Sequence, residues 1–334
     1  MVTKQRKRVH ILRGTGISAG ILLIMYAVLV NILVSAALVP SFMRTLKSFE
    51  KITEQSYAKQ VKTTDLQENR RAAWWETNQW LETAELRKLE QVSADGYRLV
   101  AAEFPAAEDT HRWVVLLHGY TGWKEEMYPF ALWYHTQGYH VLVPDLRCQG
   151  ESDGDFIGMG WTDREDVLLW LEQILTRDPE AEIVLHGQSM GAACALMMSG
   201  MEDLPENVRA VVSDCAYTDA YSMFRQDIWD WFHLPAFPLV DSVNLALQLR
   251  GGYDLRDASA LETVGRSGVP TLFIHGDRDR MIPAEMAYAL YDSAACPKEL
   301  LIVEGAGHAQ AQDKDPAKYY GAITRFLQDY IDPR

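Results

Sequence analysis

Cysteine and basic charge are both scarce in this chain of 334 residues. Its four cysteines, Cys148, Cys194, Cys215 and Cys296, form no C-x-x-C pair. That removes support for a zinc ribbon or a thioredoxin-like redox motif. Four are also too few for a disulfide scaffold, so they read as free, mostly buried thiols, with a meeting of Cys148 and Cys296 left open. Lys and Arg number 32 against 46 Asp and Glu, a formal net charge of -14. Binding to a nucleic-acid backbone needs clustered Lys and Arg, so no nucleic-acid partner is expected. No H-E-x-x-H and no P-loop occurs, and His135 and His140 lack ligand-like neighbours. Internal repeats and low-complexity tracts are missing too. At 48% hydrophobic and 23% charged, the chain is too apolar to be disordered.

The charge is unevenly spread. Residues 1–40 carry Lys4, Arg6, Lys7, Arg8 and Arg13 and no acid, leaving 27 basic against 46 acidic residues beyond them. From Gly16 to Val39 runs a stretch of 24 residues with no charge. As a helix it reaches about 36 Å, enough to cross a hydrocarbon core of about 30 Å with some tilt. A basic arm over 1–15 just before a span over 16–39 places the N-terminus in the cytoplasm and the rest outside. The expectation is a membrane-anchored protein with an extracytoplasmic domain. The alternative is a cleaved signal peptide, since Val34-Ser35-Ala36 and Ser35-Ala36-Ala37 are small-residue cleavage sites. The run is longer than the usual signal core of about 7–15 residues.

Residues 40–84 read as a polar stalk followed by a helix bearing Trp74, Trp75 and Trp80. We expect that helix to pack on the following domain through its Trp face, with an interfacial anchor as the alternative. From residue 85 the rhythm changes. Two alternating runs flank Asp95-Gly96, the signature of a β-hairpin. RWVVLLHG, YHVLVPD, AEIVLHG, VRAVVSD, VPTLFIHG and ELLIVEG follow as short apolar runs separated by helical spacing, with a helix at 161–176 that Asp163 could cap and a last one over 316–331. Continuous apolar strands alternating with helices define a mostly parallel sheet covered on both faces. Residues 216–256 break the rhythm with an aromatic-rich helical insertion, read as a cap over the C-terminal edge of the sheet.

Gly187-Gln188-Ser189-Met190-Gly191 fits G-x-S-x-G. Chance alone produces that pattern in roughly one chain in ten of this length, so its setting matters more. It follows a buried strand and precedes a helix, the turn that holds a serine exposed above a sheet. A serine hydroxyl needs a base within hydrogen-bond reach, and the base needs an orienting acid. Asp279, past the strand VPTLFI, and His308, past ELLIV, supply them in the order Ser, Asp, His. Asp277 and Asp214 are the alternative acids. His275 reads as structural, and His118 as a brace for its own loop. Two backbone N–H donors should form an oxyanion hole: Met190, after the nucleophile, and Tyr120, in HGYTG.

These marks resemble the serine hydrolases of the α/β-hydrolase fold, and in particular the membrane-anchored or exported hydrolases of Gram-positive bacteria. The resemblance covers about residues 85–331 and rests on HGYTG, PDLRCQGES, GMGW, GQSMG, SDCAYT, HGDRDRMIP and EGAGHA. Relatives often read D-L-R-G-H-G-x-S where this chain has Cys148 and Gln149, a departure in a loop at the site rim. The resemblance implies an acyl-enzyme on Ser189, no metal and no organic cofactor, and a small or medium acyl-ester or thioester substrate. Trp123, Tyr217, Phe224, Trp229 and Phe232 are candidate pocket residues. A peptidase or acyltransferase acting on envelope components, and a binding protein with a vestigial triad, are the other readings.

Overall fold

The computed structural model describes residues 2–40 and 63–331, and only the backbone of residues 2–19 and 230–232. Most of the expected stalk lies outside the described residues. Helix α1 (Val2–Leu38) is followed by α2 (Thr64–Leu81). Then come β1 (Arg87–Val92), β2 (Arg98–Phe104), β3 (Arg112–Leu117), α3 (Tyr128–Thr136), β4 (His140–Pro144), α4 (Asp163–Arg177) and β5 (Glu182–Gln188). After these lie α5 (Met190–Met198), β6 (Val208–Asp214), α6 (Ala220–Phe232), α7 (Ala236–Gly251) and α8 (Ala260–Val264). The chain ends with β7 (Thr271–Gly276), α9 (Ala284–Ser293), β8 (Lys298–Val303), α10 (Ala311–Lys314) and α11 (Pro316–Gln328).

Among the described residues one sheet of eight strands runs in the order β1-β2-β4-β3-β5-β6-β7-β8. β2 is antiparallel to both β1 and β4, and every other pair is parallel. The hairpin turns at Gly96, whose φ of 92° is open to glycine at little cost. The central strands carry continuous apolar runs because alternate side chains serve different cores. Trp113, Val115 and Leu117 of β3 join Ile183, Leu185, Val211 and Phe273 on one face, under α4, α5, α8 and α9. Val114 and Leu116 join Val184, Val212, Leu272 and Ile274 on the other, under α3 and α11.

Two sequence expectations need adjusting, and one open point closes. β8 is only partly buried, because it is the sheet's outer strand. Asp163 does not cap α4: Thr162 holds that position, and the Asp163 carboxylate turns inward to accept from the Gly160 N–H at 2.7 Å. Cys148 and Cys296 do not meet, and all four cysteines are free thiols. α2 packs on the domain as expected, but of its Trp face Trp80 makes the contact, centred 4.6 Å from Phe104, while Trp75 is exposed, and Arg70 pairs with Asp313 at 2.6 Å. The aromatic-rich insertion between β6 and β7 contains the helical pair α6–α7.

Candidate active site

The turn from β5 into α5 is set by what its glycines exclude. A Cβ on Gly187 would sit 2.1 Å from the Gly191 carbonyl oxygen, and one on Gly191 would sit 2.1 Å from the carbonyl oxygen of Leu117. Neither position accepts a side chain, so strand, turn and helix close on one another and on β3. Ser189 between them takes φ 55° and ψ -116°, a strained conformation for a residue with a Cβ, of the kind concentrated at functional sites. Its backbone N–H is held by the Asp214 carbonyl at 2.8 Å.

The Ser189 hydroxyl lies 2.9 Å from His308 Nε2, and His308 Nδ1 lies 2.7 Å from Asp279 Oδ2. Asp279 Oδ1 accepts from the backbone N–H groups of Met281 and Ile282, each at 2.9 Å. These bonds fix the carboxylate so that its second oxygen faces the imidazole. With Nδ1–H donating to Asp279, Nε2 is the acceptor for the serine. The two loops are stitched together: Arg278 N–H donates to the Ala306 carbonyl at 2.9 Å, and a Cβ on Gly276 would meet that same oxygen at 2.3 Å.

The other candidate acids are committed elsewhere. Asp277 is exposed and takes the Gly305 N–H at 2.6 Å. Asp214 is fully buried and accepts from Tyr319 and Gln188. His275 Nε2 donates to the Ile282 carbonyl at 2.8 Å and lies 3.3 Å from Asp279 Oδ2. Burial works against the charge of Asp279, but the two histidines around it prevail and hold its carboxyl well below the usual carboxylate range. Burial likewise opposes protonation of His308, and Asp279 outweighs it, so the imidazole sits above its ordinary value.

Met190 is the first residue of α5, so its N–H has no intrahelical carbonyl to bond and points with the positive end of the helix. The loop 118–122 comes up beside it, a Cβ on Gly119 being only 3.4 Å from Ser189 Cβ. His118 braces that loop, its Nδ1 2.8 Å from the Gly119 carbonyl and its Nε2 accepting from Leu146 N–H at 3.0 Å. Lys124 locks the other side of the loop, 2.8 Å from both Asp145 and Glu151. The Tyr120 hydroxyl donates to the Ala37 carbonyl at the end of α1. Sequence reasoning missed that contact, and nothing in the residue pattern signals it.

The pocket candidates fall into different places. Tyr217 belongs to the core, its hydroxyl donating to the Met159 carbonyl at 2.6 Å. Phe224 packs half-buried against that core. Trp123 and Trp229 are exposed, and Trp229 lines a surface groove of about 420 Å³ with Ser222, Arg225, Gln226 and Ala236 that does not reach Ser189. The side chain of Phe232 lies outside the described residues. Cys215, Asp279 and His308 bring potential ligand atoms within 4.8 Å of one another. His308 already commits both ring nitrogens, and burial pushes the Cys215 thiol well above its ordinary range. A protonated thiol is a poor metal ligand, so the trio fits a hydrogen-bonded site better than a metal centre.

The chain belongs to the alpha/beta hydrolase family, whose profile matches residues 114–322, and family membership supports hydrolase chemistry. It is 27% identical to the uncharacterized protein YqkD of Bacillus subtilis over 241 residues, covering 72% of this chain and 78% of that one. It is also 27% identical to the lysophosphatidylserine lipase ABHD12 of Danio rerio over 206 residues, 58% of this chain and 50% of the relative. Among solved structures it shares the fold of the Pyrococcus furiosus esterase Pf2001, with a TM-score of 0.60 at 20% identity, covering 74% of this chain and 92% of that one. An acetyl xylan esterase from Paenibacillus sp. R4 gives 0.56 at 18% identity, with 81% and 96% covered. Among the described residues one helical segment, Gly20–Leu38, is long and apolar enough to cross a membrane, as an anchor or a signal sequence would be.

Proposed function

We propose that the chain is a serine hydrolase that cleaves carboxylic ester or thioester bonds through an acyl-enzyme on Ser189. The observation that carries this reading is the hydrogen-bonded line Ser189–His308–Asp279, with spacings of 2.9 and 2.7 Å, on a strained turn. Ser189 Oγ attacks the substrate carbonyl carbon while His308 Nε2 takes its proton. The N–H groups of Met190 and Tyr120 receive the developing oxyanion. His308 returns the proton to the leaving alcohol or thiol as the tetrahedral centre collapses. Water then attacks the acyl carbon, giving its proton to His308, and the acid leaves as Ser189 regains its hydrogen. Asp279 stays ionised throughout and holds the imidazole in the useful tautomer. The likeness to a lysophosphatidylserine lipase supports an acyl ester as substrate.

The reading includes a retained anchor with the N-terminus in the cytoplasm and the hydrolase domain, residues 85–334 with α6–α7 as its cap, outside. The basic arm supports the orientation. Retention is supported by the docked end of α1. Val34, Ala36 and Leu38 are buried against the domain, and the Leu38 carbonyl accepts from Ile157 N–H at 2.9 Å. Cleavage at the small-residue sites would cut through that docked end.

The test uses the full chain in detergent, since Leu38 is part of the core. A fluorophosphonate should label Ser189 in peptide maps and should fail to label His308→Ala. A panel of esters, thioesters, peptides and added acceptor alcohols then sorts esterase from peptidase and acyltransferase. A folded chain that takes no label overturns the hydrolase reading in favour of a binding protein.

A further inference from the structure

α1 does not end at the surface of the domain but lies along it. Tyr26, Val30, Val34 and Leu38 recur every four residues, so they form one stripe. Val34 and Leu38 are fully buried, and Val30 is 5% exposed. α7 runs beside this stripe and is tied to it at two levels. The Tyr26 and Ser242 hydroxyls are 3.0 Å apart. Arg250 donates to the carbonyl and side-chain oxygens of Asn31 at 3.3 and 3.2 Å, and to Ser35 Oγ at 3.2 Å. Away from the stripe, Ile21 to Met25 are exposed all round the helix, which suits lipid and not water.

The depth of α7 follows from the charge pattern. The last charge before the apolar run is Arg13. A span needs about 20 residues, which puts the far boundary of the hydrocarbon near Leu33 when counted from Arg13 and near Ser35 when counted from Gly16, and Arg250 reaches Asn31 and Ser35. Tyr26 lies seven to nine residues back, roughly 10–14 Å deeper, and Ser242 with it. That is at or just below the depth of about 5–10 Å at which interfacial helices lie. The exposed residues of α7 agree. Phe237, Leu245 and Leu249 are 75%, 57% and 80% exposed. The one acid on the helix, Asp241, is engaged by Tyr221 and Arg256 at 2.7 and 3.0 Å. Exposed large apolar residues of this kind mark an interaction surface, and Ile21 to Met25 of the neighbouring α1 are exposed as well. Along α1 runs an open groove of about 620 Å³, lined by Ile24, Ala27, Val28, Asn31, Ile32 and Ser35, with Arg250 the one residue of α7 that reaches it.

We propose that α7 is seated in the outer leaflet beside α1, and that the substrate is an acyl ester resident in the bilayer, drawn in sideways along this groove. The acyl chain follows the apolar wall, and the polar end lies by Arg250. The link to the chemistry is short, because the end of α1 holds the Tyr120 hydroxyl on the loop beside Ser189. The substrate class rests on the anchored-esterase reading, whereas the seating of α7 does not.

Two measurements test it. The full chain is reconstituted in phosphatidylcholine vesicles containing a phospholipid with a diazirine in its acyl chain, irradiated and mapped by mass spectrometry. Adducts are expected on α1 and on α7 between 237 and 249, equally in Ser189→Ala. Adducts confined to α1, or an α7 shielded by cross-linking to a second copy, overturn the seating. The second measurement compares Leu245→Glu/Leu249→Glu with the parent chain. Hydrolysis of a long-chain ester in vesicles should fall about tenfold or more, since α7 loses two apolar contacts with the bilayer. Hydrolysis of a water-soluble short ester in detergent should stay within about twofold, as suits residues remote from the chemistry. An equal fall on both, or no fall in vesicles, overturns the lateral route. A chain inert toward both esters and unlabelled by fluorophosphonate sinks the esterase reading while leaving the adduct pattern to judge α7.

Discussion

The loops that carry Ser189, Asp279 and His308 and the helical pair α6–α7 both follow the C-terminal ends of strands, yet they are held by different means. The loops are fixed through the backbone. Gly187, Gly191 and Gly276 leave no room for a Cβ, and main-chain bonds such as Ser189 N–H to Asp214 fix the turns. The pair is held mostly through side chains: Asn244 to Asp254, Tyr221 and Arg256 to Asp241, and Arg250 to α1. Close-packed backbone has one arrangement, whereas side-chain ties can be cut one by one. The proposed catalytic loops are therefore held rigidly, and the helical pair proposed to meet substrate is tied to α1. Each prediction below probes one side of that contrast or the seam between them.

The largest effect should come from the rigid side. Ser189→Ala should remove essentially all ester hydrolysis, a fall of about 10⁴-fold or more, with the melting temperature unchanged. Activity within tenfold of the parent would end the proposed mechanism. Asp279→Asn should cost roughly 10³–10⁴-fold in kcat by spoiling the His308 tautomer. The same change at exposed Asp277 should cost a few-fold at most, since that side chain serves Gly305. The sign of the pH dependence follows from His308. Its base form is needed, and Asp279 raises its pKa above the ordinary 6.5. Activity should thus rise with pH through a midpoint above 6.5, and the residual activity of Asp279→Asn should rise at a lower pH. A midpoint unmoved by that substitution would mean that the carboxylate does not act on the imidazole.

The seam should give a middling effect. Tyr120→Phe cuts the tie to Ala37 while keeping the ring and the backbone N–H. A loop displaced by a fraction of an ångström can cost about tenfold in kcat, and the lost hydrogen bond about 1 kcal/mol of stability. KM for a short ester should hold steady, because the hydroxyl positions the loop and does not bind substrate. A fall in stability with kcat intact would make the tie purely structural.

What the sequence disclosed divides along the same line. The tight turn at Ser189, the hydrogen-bonded grouping of Ser189, His308 and Asp279 and the strand pattern were legible because each needs a particular residue type, such as no Cβ at Gly187. The choice of Asp279 over Asp277 was legible only as a preference, since two residues on one turn differ by which way they face. The aromatic insertion was recognised, but aromatic content does not separate core from pocket. Tyr217 turned inward, whereas Trp123 and Trp229 stayed outside. The docking of α1 left no trace at all. An apolar stripe reads the same whether it faces lipid or protein, so Val34 and Leu38 looked like any other residues of the span.

The smallest effect on activity concerns the loop beneath that docking. Residues 157–163 receive α1 through Ile157 N–H and the helical pair through the Tyr253 and Tyr217 hydroxyls, which donate to the Ile157 and Met159 carbonyls. Asp163 closes this loop from below. Burial pushes its carboxyl up to about 7, with Arg147 pulling the other way. In the unfolded chain it titrates near 3.8. Between those values the folded state holds a proton that the unfolded state has lost, so stability falls as pH rises from about 4 to 7 and is flat above that. Asp163→Asn keeps an acceptor for Gly160 N–H and removes the titration. Its melting temperature relative to the parent should climb steadily between pH 4 and 7 and then level off. A constant offset across that range would place the proton elsewhere. If the offset grows as expected while the vesicle activity of the two proteins stays equal, the loop supports the docked helix without taking part in its coupling to Tyr120.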